Sequence, residues 1–180
     1  MRIVAGAWRG KALVAPVGQT TRPTSERMRQ ALFDMLAHAP WASGCLAEAA
    51  VLDVFAGTGA LGLEALSRGA AHAIFMETDR AALAALRVNI AACKAEPRSQ
   101  VLAIDALKSP RGTACSLVFL DPPYGLGLVP AAITALAKAG WIANGALIVA
   151  ETAAEEALEL QGEIVAERSH GAARTSFWRF

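Results

Sequence analysis

The chain changes its hydrophobic pattern near residue 50. Before that point, apolar residues recur at i, i+3, i+4, i+7 and i+8 between Met28 and Leu36, a spacing that predicts an amphipathic helix. Residues 2–5 and 11–15 are two short segments on either side of Trp8-Arg9-Gly10, and we predict that they form two short strands. Residues 1–40 are therefore predicted to be a hairpin followed by a helix.

Beyond residue 50, short apolar runs alternate with segments of helical periodicity. The runs predict strands at residues 50–55, 73–76, 101–104, 116–120 and 146–150, and the intervening segments predict helices at 61–67, 79–94 and 129–139. This alternation is typical of a mainly parallel sheet with helices on both faces. Residues 163–167 and 175–180, with turn residues His170-Gly171 between them, predict a closing antiparallel hairpin. The predicted fold class is α/β and Rossmann-like, with an extension at residues 1–40 packed on a core domain at residues 41–180.

The composition narrows the class of protein. A length of 180 residues suits a single domain, and 54% hydrophobic against 18% charged residues excludes a disordered chain. The three cysteines lie far apart, which excludes a disulfide framework and a C-x-x-C zinc pattern and favours a reducing cytoplasm. The first residues lack the layout of a signal peptide, and polar residues and glycines interrupt the apolar stretch 131–150. We expect a cytoplasmic monomer without a membrane segment or a metal.

Basic residues are concentrated at the N-terminal end. Residues 1–30 carry six basic residues and one acidic residue, a local net charge of +5, whereas the whole chain has a net charge of +1. Such an uneven distribution favours a basic face that binds a polyanion. A solvated basic arm without a partner is the alternative that charge alone leaves open.

A glycine-rich loop follows the first predicted core strand. Gly57, Gly59 and Gly62 match G-x-G-x-x-G between a strand and a helix, and Glu77 follows Gly57 by twenty residues, which taken alone is the dinucleotide-binding pattern. However, Asp53 stands four residues before Gly57, where a pyrophosphate would require the absence of negative charge. A ligand with ammonium and sulfonium groups tolerates a carboxylate there, so Asp53 favours S-adenosylmethionine over NAD. The alternative is a purely structural strand-to-helix turn.

Acidic residues also end the next two predicted strands. Glu77 is placed to accept hydrogen bonds from both ribose hydroxyls of a nucleoside, and Asp105 to accept one from the adenine amino group. Asp79 is interpreted instead as the N-cap of the following helix. Ligands of open parallel sheets bind outside the carboxyl ends of the strands, so these acids are expected to lie around one site.

The most specific motif in the chain is Asp121-Pro122-Pro123-Tyr124, directly after the fourth predicted core strand. The two prolines fix the backbone and have no N–H, so their carbonyls and the Asp121 carboxylate present acceptors only. Such a surface suits the exocyclic amine of a planar base, and Tyr124 offers a ring on which that base can stack. A rigid Pro-Pro turn with a structural aspartate is the alternative.

Residues 51–124 resemble a class I S-adenosylmethionine-dependent methyltransferase that acts on amino groups, the class marked by [D/N]-P-P-[Y/F]. The segment from Arg2 to Lys11 (RIVAGAWRGK), together with Arg22-Pro23-Thr24 through Arg27 and the later pair Leu32-Phe33, resembles the RsmD family. That family methylates the 2-amino group of a guanine in small-subunit ribosomal RNA. The resemblance implies S-adenosylmethionine as cofactor and ribosomal RNA, or the assembled small subunit, as partner.

The motifs and the resemblance together assign three groups of candidate residues. The catalytic candidates are Asp121, Pro122, Pro123 and Tyr124. The cofactor-binding candidates are Asp53, Phe55, Gly57, Gly59, Glu77, Asp105, Ala106 and Thr24. The RNA-binding candidates are Arg9, Lys11, Arg22 and Arg27, and Arg22 and Thr24 are open to either the cofactor or the RNA.

Three other functions fit parts of the same pattern. An adenine-N6 methyltransferase acting on DNA or RNA shares the D-P-P-Y motif. An NAD-dependent oxidoreductase shares the glycine pattern, but Asp53 opposes it and His72 precedes the second core strand, at the wrong end for a proton donor. A non-catalytic RNA-binding protein is the third alternative, and the intact motif at Asp121 opposes it.

Overall fold

The computed structural model describes residues 1–16, 26–123, 125–156, 158 and 162–180. Within them, seven strands form one sheet in the spatial order β3-β2-β1-β4-β5-β7-β6. The strands are β1 (Ala50–Val54), β2 (His72–Met76), β3 (Ser99–Leu102), β4 (Cys115–Leu120), β5 (Ile142–Ala153), β6 (Glu163–His170) and β7 (Ala173–Arg179). The first five run parallel, and β7 pairs antiparallel with both β5 and β6. The predicted α/β class, mainly parallel sheet and closing hairpin are confirmed.

Four α-helices occur in the described part of the chain: α1 (Glu26–His38), α2 (Ala60–Ser67), α3 (Arg80–Ala92) and α4 (Leu128–Lys138). Helices α1, α2 and α3 pack on one face of the sheet, where Phe33, Leu63 and Leu86 share a core with Phe119. Helix α4 covers the other face, where Ile133 packs with Ile148. The sheet therefore has helices on both faces. The five parallel strands all end on the same side of the sheet, and this row of strand ends is called here the carboxyl edge.

Several predicted boundaries differ from the observed ones. Strand β5 extends from Ile142 to Ala153 rather than over 146–150. Its last residues pair with β7, and the final pair joins Ala153 of β5 to Ala173 of β7. Strand β6 continues to His170, so the two-residue turn of the hairpin is Gly171-Ala172 and not His170-Gly171. Helix α3 begins at Arg80, with the Asp79 carboxylate accepting a hydrogen bond from the amide of Ala82, as expected of an N-cap.

The N-terminal extension is less regular than predicted. Residues 2–5 and 11–15 do not form strands: a single antiparallel bridge joins Arg2 to Ala12, and residues Gly6–Trp8 form a short 3₁₀ helix. The amide of Ile3 nevertheless bonds to the carbonyl of Lys11 at 2.9 Å, so the chain does reverse as a hairpin would. The pairing stays short because the amides of residues 4, 5 and 8 bond to helix α2 instead of to the opposite segment.

Helix α2 is the surface on which the extension is held. Its Glu64, which is fully buried, accepts hydrogen bonds from the amides of Val4 and Ala5 at 2.8 and 3.0 Å. The Ser67 hydroxyl accepts from the amide of Trp8 and donates to the carbonyl of Ala5. Gly6, with φ of +80°, lies so close to Ser67 that a Cβ would be 1.9 Å from the Ser67 carbonyl oxygen. Much of the N-terminal RsmD-like pattern is thereby explained as packing on α2.

Candidate active site

The glycine loop adopts the conformation that its sequence requires. Gly57 and Gly59 have φ of +54° and +76°, in the left-handed region that glycine occupies without strain. A Cβ on Gly59 would be 2.3 Å from a methyl carbon of Leu86, so this glycine is also needed for packing against α3. A Cβ on Gly57 would meet only its own loop, at 4.0 Å from the carbonyl oxygen of Phe55. Gly57 therefore leaves its outer side open to the close approach of a ligand.

Asp53 lies beneath this loop. It is 2% exposed, and its Oδ2 accepts a hydrogen bond of 2.8 Å from the amide of Gly62, in the first turn of α2. Burial raises the pKa of Asp53 to about 8, the Gly62 hydrogen bond opposes this rise, and the negative charges of Asp121 and Glu77 add to it. Asp53 thus caps α2 and supports the loop from below, at the positive end of a helix dipole.

Glu77 lies beside the loop, immediately after β2. Its Oε2 accepts from the amide of Gly57 at 2.8 Å, and its Oε1 accepts from the amides of Thr78 and Asp79 at 2.7 and 2.8 Å. A carboxylate has about four lone-pair positions, so the two oxygens retain acceptor capacity for hydroxyl groups. The backbone amides hold Glu77 at the carboxyl edge, where the sequence predicted a ribose-binding acid.

The other cofactor-binding candidates lie along the same edge. Asp105 follows β3, and its Oδ1 accepts from the amide of Leu107, which caps the short 3₁₀ helix Ala106–Lys108. Ala106 is buried against the α4 side of the sheet. Phe55, directly after β1, has φ of +61°, an unusual conformation for a large residue. Thr24 lies outside the described residues.

Sequence reasoning missed Asn89, which links the glycine loop to the extension. Asn89 is 1% exposed on α3, and its amide nitrogen donates to the carbonyl of Thr58 at 2.9 Å. The same side chain exchanges two hydrogen bonds with the backbone of Val14, at 2.8 and 3.1 Å. The only signal in the sequence was a polar residue on the apolar face of a predicted helix, which does not identify its partners.

The D-P-P-Y motif begins where β4 ends. Leu120 is the last residue of β4 that pairs with β1 and β5, and Asp121 follows it at the carboxyl edge. Pro122 is buried and Pro123 is exposed. The effect of Asp121 on the pKa of Asp53 shows that the two carboxylates are electrostatic neighbours. Tyr124 lies outside the described residues, so its stacking role stays a prediction.

The N-terminal cations do not lie together. Arg29 is fully buried, with Nε 3.7 Å from the Glu64 carboxylate, and it bonds to the carbonyl of Arg2. Its position in the first turns of α1, which the dipole disfavours, therefore has a structural cause. Arg2 pairs with Glu26 at 2.9 Å. Two of the six charges that the sequence suggested as a basic face are thus paired within the protein.

The exposed RNA-binding candidates lie on two elements, the turn of the N-terminal extension and helix α1. Arg9 and Lys11 flank the turn after Trp8, whose ring lies 5.1 Å from the guanidinium of Arg98, just before β3 begins. They are therefore at the amino ends of the strands, away from Asp121. Arg27 is exposed in the first turn of α1. Arg22 lies outside the described residues, and RNA contacts by all four residues stay predictions.

A cavity of about 270 Å³ lies between α1 and the β5-β7-β6 end of the sheet. Its lining is mostly apolar, with the acid Glu151 near the end of β5 and the side chains of Arg168 and His170 on the outer strand β6. The lining residues are Met28, Ala31, Leu32, Met35, Glu151, Arg168, His170, Thr175 and Phe177. Sequence reasoning did not identify this cavity, because its walls come from residues more than a hundred positions apart.

The described residues offer little support for thiol or metal chemistry. All three cysteines are free, and burial raises the pKa values of Cys45 and Cys115 to about 11, so these thiols are poor nucleophiles. Among the residues that the structure describes, no three His, Cys, Asp or Glu side chains are grouped as metal ligands would be. In the same residues, no helix has the length and apolar character needed to cross a membrane.

Comparison with known proteins gives consistent matches over nearly the whole chain. The profile of a family described as Conserved hypothetical protein 95 matches residues 1–179. The ribosomal RNA small subunit methyltransferase D of Escherichia coli (strain K12) is 41% identical over 160 residues, covering 88% of this chain and 77% of that protein. The protein of the same name from Haemophilus influenzae is 35% identical over 163 residues, covering 88% and 81%. The solved structure of yhhF from Escherichia coli has a TM-score of 0.86 at 38% identity, covering 99% of this chain and 97% of that one.

Proposed function

The chain belongs to the Conserved hypothetical protein 95 (RsmD) family, and on that basis we propose that it transfers a methyl group from S-adenosylmethionine to the 2-amino group of a guanine in small-subunit ribosomal RNA. The observation that carries the proposal is the position of Asp121-Pro122-Pro123 at the carboxyl edge, beside the acids that support the glycine loop. The names of two relatives specify the small-subunit ribosomal RNA. Such a substrate places the reaction in the cytoplasm.

The residues around the loop fit S-adenosylmethionine. The open side of Gly57 allows a ligand to approach the backbone, and Glu77 is held beside it as an acceptor for ribose hydroxyls. Asp105 lies at the end of the next strand for the adenine amino group. The Asp53 side chain supports the loop from below by accepting a hydrogen bond from the amide of Gly62. When bound, S-adenosylmethionine supplies an electrophilic methyl group.

The acceptors at Asp121 orient the amine of the target base. A guanine amine is a poor nucleophile because its lone pair is delocalised into the ring. The Asp121 carboxylate and the Pro122 carbonyl accept its two N–H groups, which favours a more tetrahedral nitrogen and directs the lone pair outward. Alignment accounts for much of the acceleration, and the Asp121 charge stabilises the positive charge that develops on nitrogen. The methylated nitrogen then loses its proton readily.

The position of the motif requires an accessible base. A base stacked in a helix cannot reach the carboxyl edge, so the target guanine must be unpaired or turned out of its helix. Basic side chains then hold phosphates without reading the sequence. Arg27 is exposed at the start of α1 and directly precedes Met28, a residue of the cavity wall.

The test is methyl transfer in vitro. The purified protein receives S-adenosylmethionine with a labelled methyl group and either small-subunit ribosomal RNA, assembled small subunits or duplex DNA. Nuclease digestion and mass mapping should find N2-methylguanosine at one nucleotide of the RNA. N6-methyladenosine, in RNA or DNA, would instead support the adenine-N6 alternative, and absence of any transfer would contradict both.

The decisive variant is Asp121→Ala. We expect kcat to fall by about 10²–10³-fold, the usual effect of removing one preorganised electrostatic partner, while affinity for S-adenosylhomocysteine stays near that of the parent protein. Asp121→Asn keeps an acceptor oxygen and should be partly active. The matched control is Glu163→Ala, on an exposed position of β6, which should leave kcat unchanged. If Asp121→Ala transfers methyl at the parent rate, the proposed amine site is wrong.

A further inference from the structure

The register of the sheet places a row of polar side chains beside Asp121. The last pair between β4 and β5 is Leu120 with Ala150, so the residues that follow, Asp121 and Glu151, are neighbours at the carboxyl edge. Glu151 in turn pairs with Thr175 of β7, and Thr175 pairs with Arg168 of β6. The row therefore crosses the sheet in the order Asp121, Glu151, Thr175 and Arg168, that is, two acids, a hydroxyl and a cation. Adjacent strands are about 4.8 Å apart.

The side chains of this row share one face of the sheet. Val149, Phe119 and Phe177 belong to the core on the α1 side, and alternation along each strand puts the residues two positions away on that same side. Glu151, Thr175 and Arg168 accordingly line the cavity under α1. Glu151 is 8% exposed and lies at the end of the cavity nearest to Asp121. A base held at Asp121 would therefore present its adjoining atoms to Glu151.

The order of the row matches the hydrogen-bonding edge of guanine. Along that edge, guanine has the 2-amino donor, the N1–H donor and the O6 acceptor, in this sequence. With the amine at Asp121, the N1–H meets Glu151, and O6 meets the donors that follow. Adenine presented by its 6-amino group would place the N1 lone pair against the Glu151 carboxylate, a repulsive arrangement of two acceptors. The mostly apolar walls of the cavity suit the faces of a planar ring.

We propose that the Glu151 carboxylate accepts the N1–H of the target guanine and so selects guanine over adenine. The inference rests on the proposed function and adds to it a specificity-determining residue. An acceptor that faces the N1–H of guanine but the N1 lone pair of adenine is an effective means of rejecting the wrong base. Glu151 acts on the ring nitrogen next to the reacting amine, whereas Asp121 acts on the amine itself.

The test replaces the target guanine, mapped as described above, by 2-aminopurine in the same RNA. This base keeps the 2-amino group but has a lone pair on N1 in place of N1–H, and it also lacks O6. The change in preference between the parent protein and Glu151→Gln therefore isolates the contact at N1. We expect the parent protein to show a kcat/KM lower by about tenfold or more on the 2-aminopurine RNA. In Glu151→Gln, the side-chain amide can donate to N1, so the preference for guanine should shrink by about tenfold.

Glu163→Gln, on the exposed part of β6, is the matched control and should keep the parent preference. Thermal unfolding and S-adenosylhomocysteine affinity report whether each variant folds. If Glu151→Gln does not fold, Glu151→Ala takes its place, and this variant should also lose the preference for guanine. The inference would be overturned if the parent protein had the same kcat/KM on the guanine RNA and the 2-aminopurine RNA. It would also be overturned if both Glu151 variants preferred guanine as strongly as the parent protein does. Absence of methyl transfer to the guanine RNA by the parent protein would refute the proposed function itself.

Discussion

At the scale of single residues, acids with similar positions in the sequence have different surroundings. Asp53 and Glu77 both end strands next to the glycine loop, yet Asp53 is 2% exposed beneath the loop while Glu77 is held beside it by three backbone amides. Burial penalises the charged form of a carboxyl group. Consequently the pKa of Asp53 is raised to about 8, and this residue should influence stability near neutral pH.

We predict that Asp53→Asn alters the pH dependence of the free energy of unfolding. The carboxyl has a pKa of about 3.9 when unfolded and about 8 when folded, so the folded state binds the extra proton. Its contribution to stability is present below about pH 4 and is lost as the pH rises through 8. Relative to Asp53→Asn, the parent should lose up to about 1.4 kcal/mol per pH unit between these values, measured by urea unfolding. Parallel curves for the two proteins would contradict this.

At the scale of elements, helix α2 has two roles. Its first turn receives the Asp53 carboxylate under the glycine loop, and its last turns hold the N-terminal extension. Glu64 is central to the second role, because it is fully buried and accepts from two backbone amides and from Arg68 at 2.8 Å. Arg29 of α1 has its guanidinium beside the same carboxylate. One side chain thus joins α1, α2 and the extension.

We expect Glu64→Ala to destabilise the protein strongly. The change removes the acceptor of two amides and leaves the fully buried Arg29 without its counter-ion, and breaking a buried ion pair in this way costs about 3–5 kcal/mol. Urea unfolding measures the loss. Glu163→Ala, at an exposed glutamate of β6, should change the free energy of unfolding by less than about 0.5 kcal/mol. A similarly small effect of Glu64→Ala would show that the extension does not depend on this contact.

At the scale of the whole molecule, the exposed cations that we predict to bind RNA lie in two separate groups. Arg27 is exposed at the start of α1, whereas Arg9 and Lys11 lie toward the amino ends of the strands. An RNA that contacts both groups must extend along the side of the protein formed by the extension and α1. The basic arm is therefore less concentrated than a local charge of +5 suggests, because Arg2 and Arg29 are paired internally.

The salt dependence of RNA binding tests this arrangement. We expect Arg27→Ala, and separately the double variant Arg9→Ala with Lys11→Ala, to reduce the slope of log affinity against log salt by about 0.7–0.9 for each phosphate that the variant no longer binds. S-adenosylhomocysteine affinity should stay unchanged in both. A slope that changes only for Arg27→Ala would confine the RNA to the side of the protein formed by α1. An unaltered slope in both variants would make these cations solvated surface.

Much of the fold could be predicted from the sequence because the signals are local. The alternation of apolar runs with helical segments, the glycine loop and the D-P-P-Y motif each occupy a few adjacent residues, and each was found at the expected strand end. The hairpin predicted at residues 2–5 and 11–15 was reduced to one bridge between Arg2 and Ala12. Local propensity could not anticipate that helix α2 would supply competing acceptors for those amides.

The sequence by itself determined the class of fold, the order of elements and which residues follow each strand, because these depend on residues that are close in the chain. Only the tertiary structure decided which charges are buried and which acids are neighbours. Arg29 is paired with Glu64, Asn89 joins the glycine loop to the extension, and Leu120, just before Asp121, pairs with Ala150, just before Glu151. Each contact joins residues about thirty or more positions apart, and strand order and helix packing, not local pattern, bring them together.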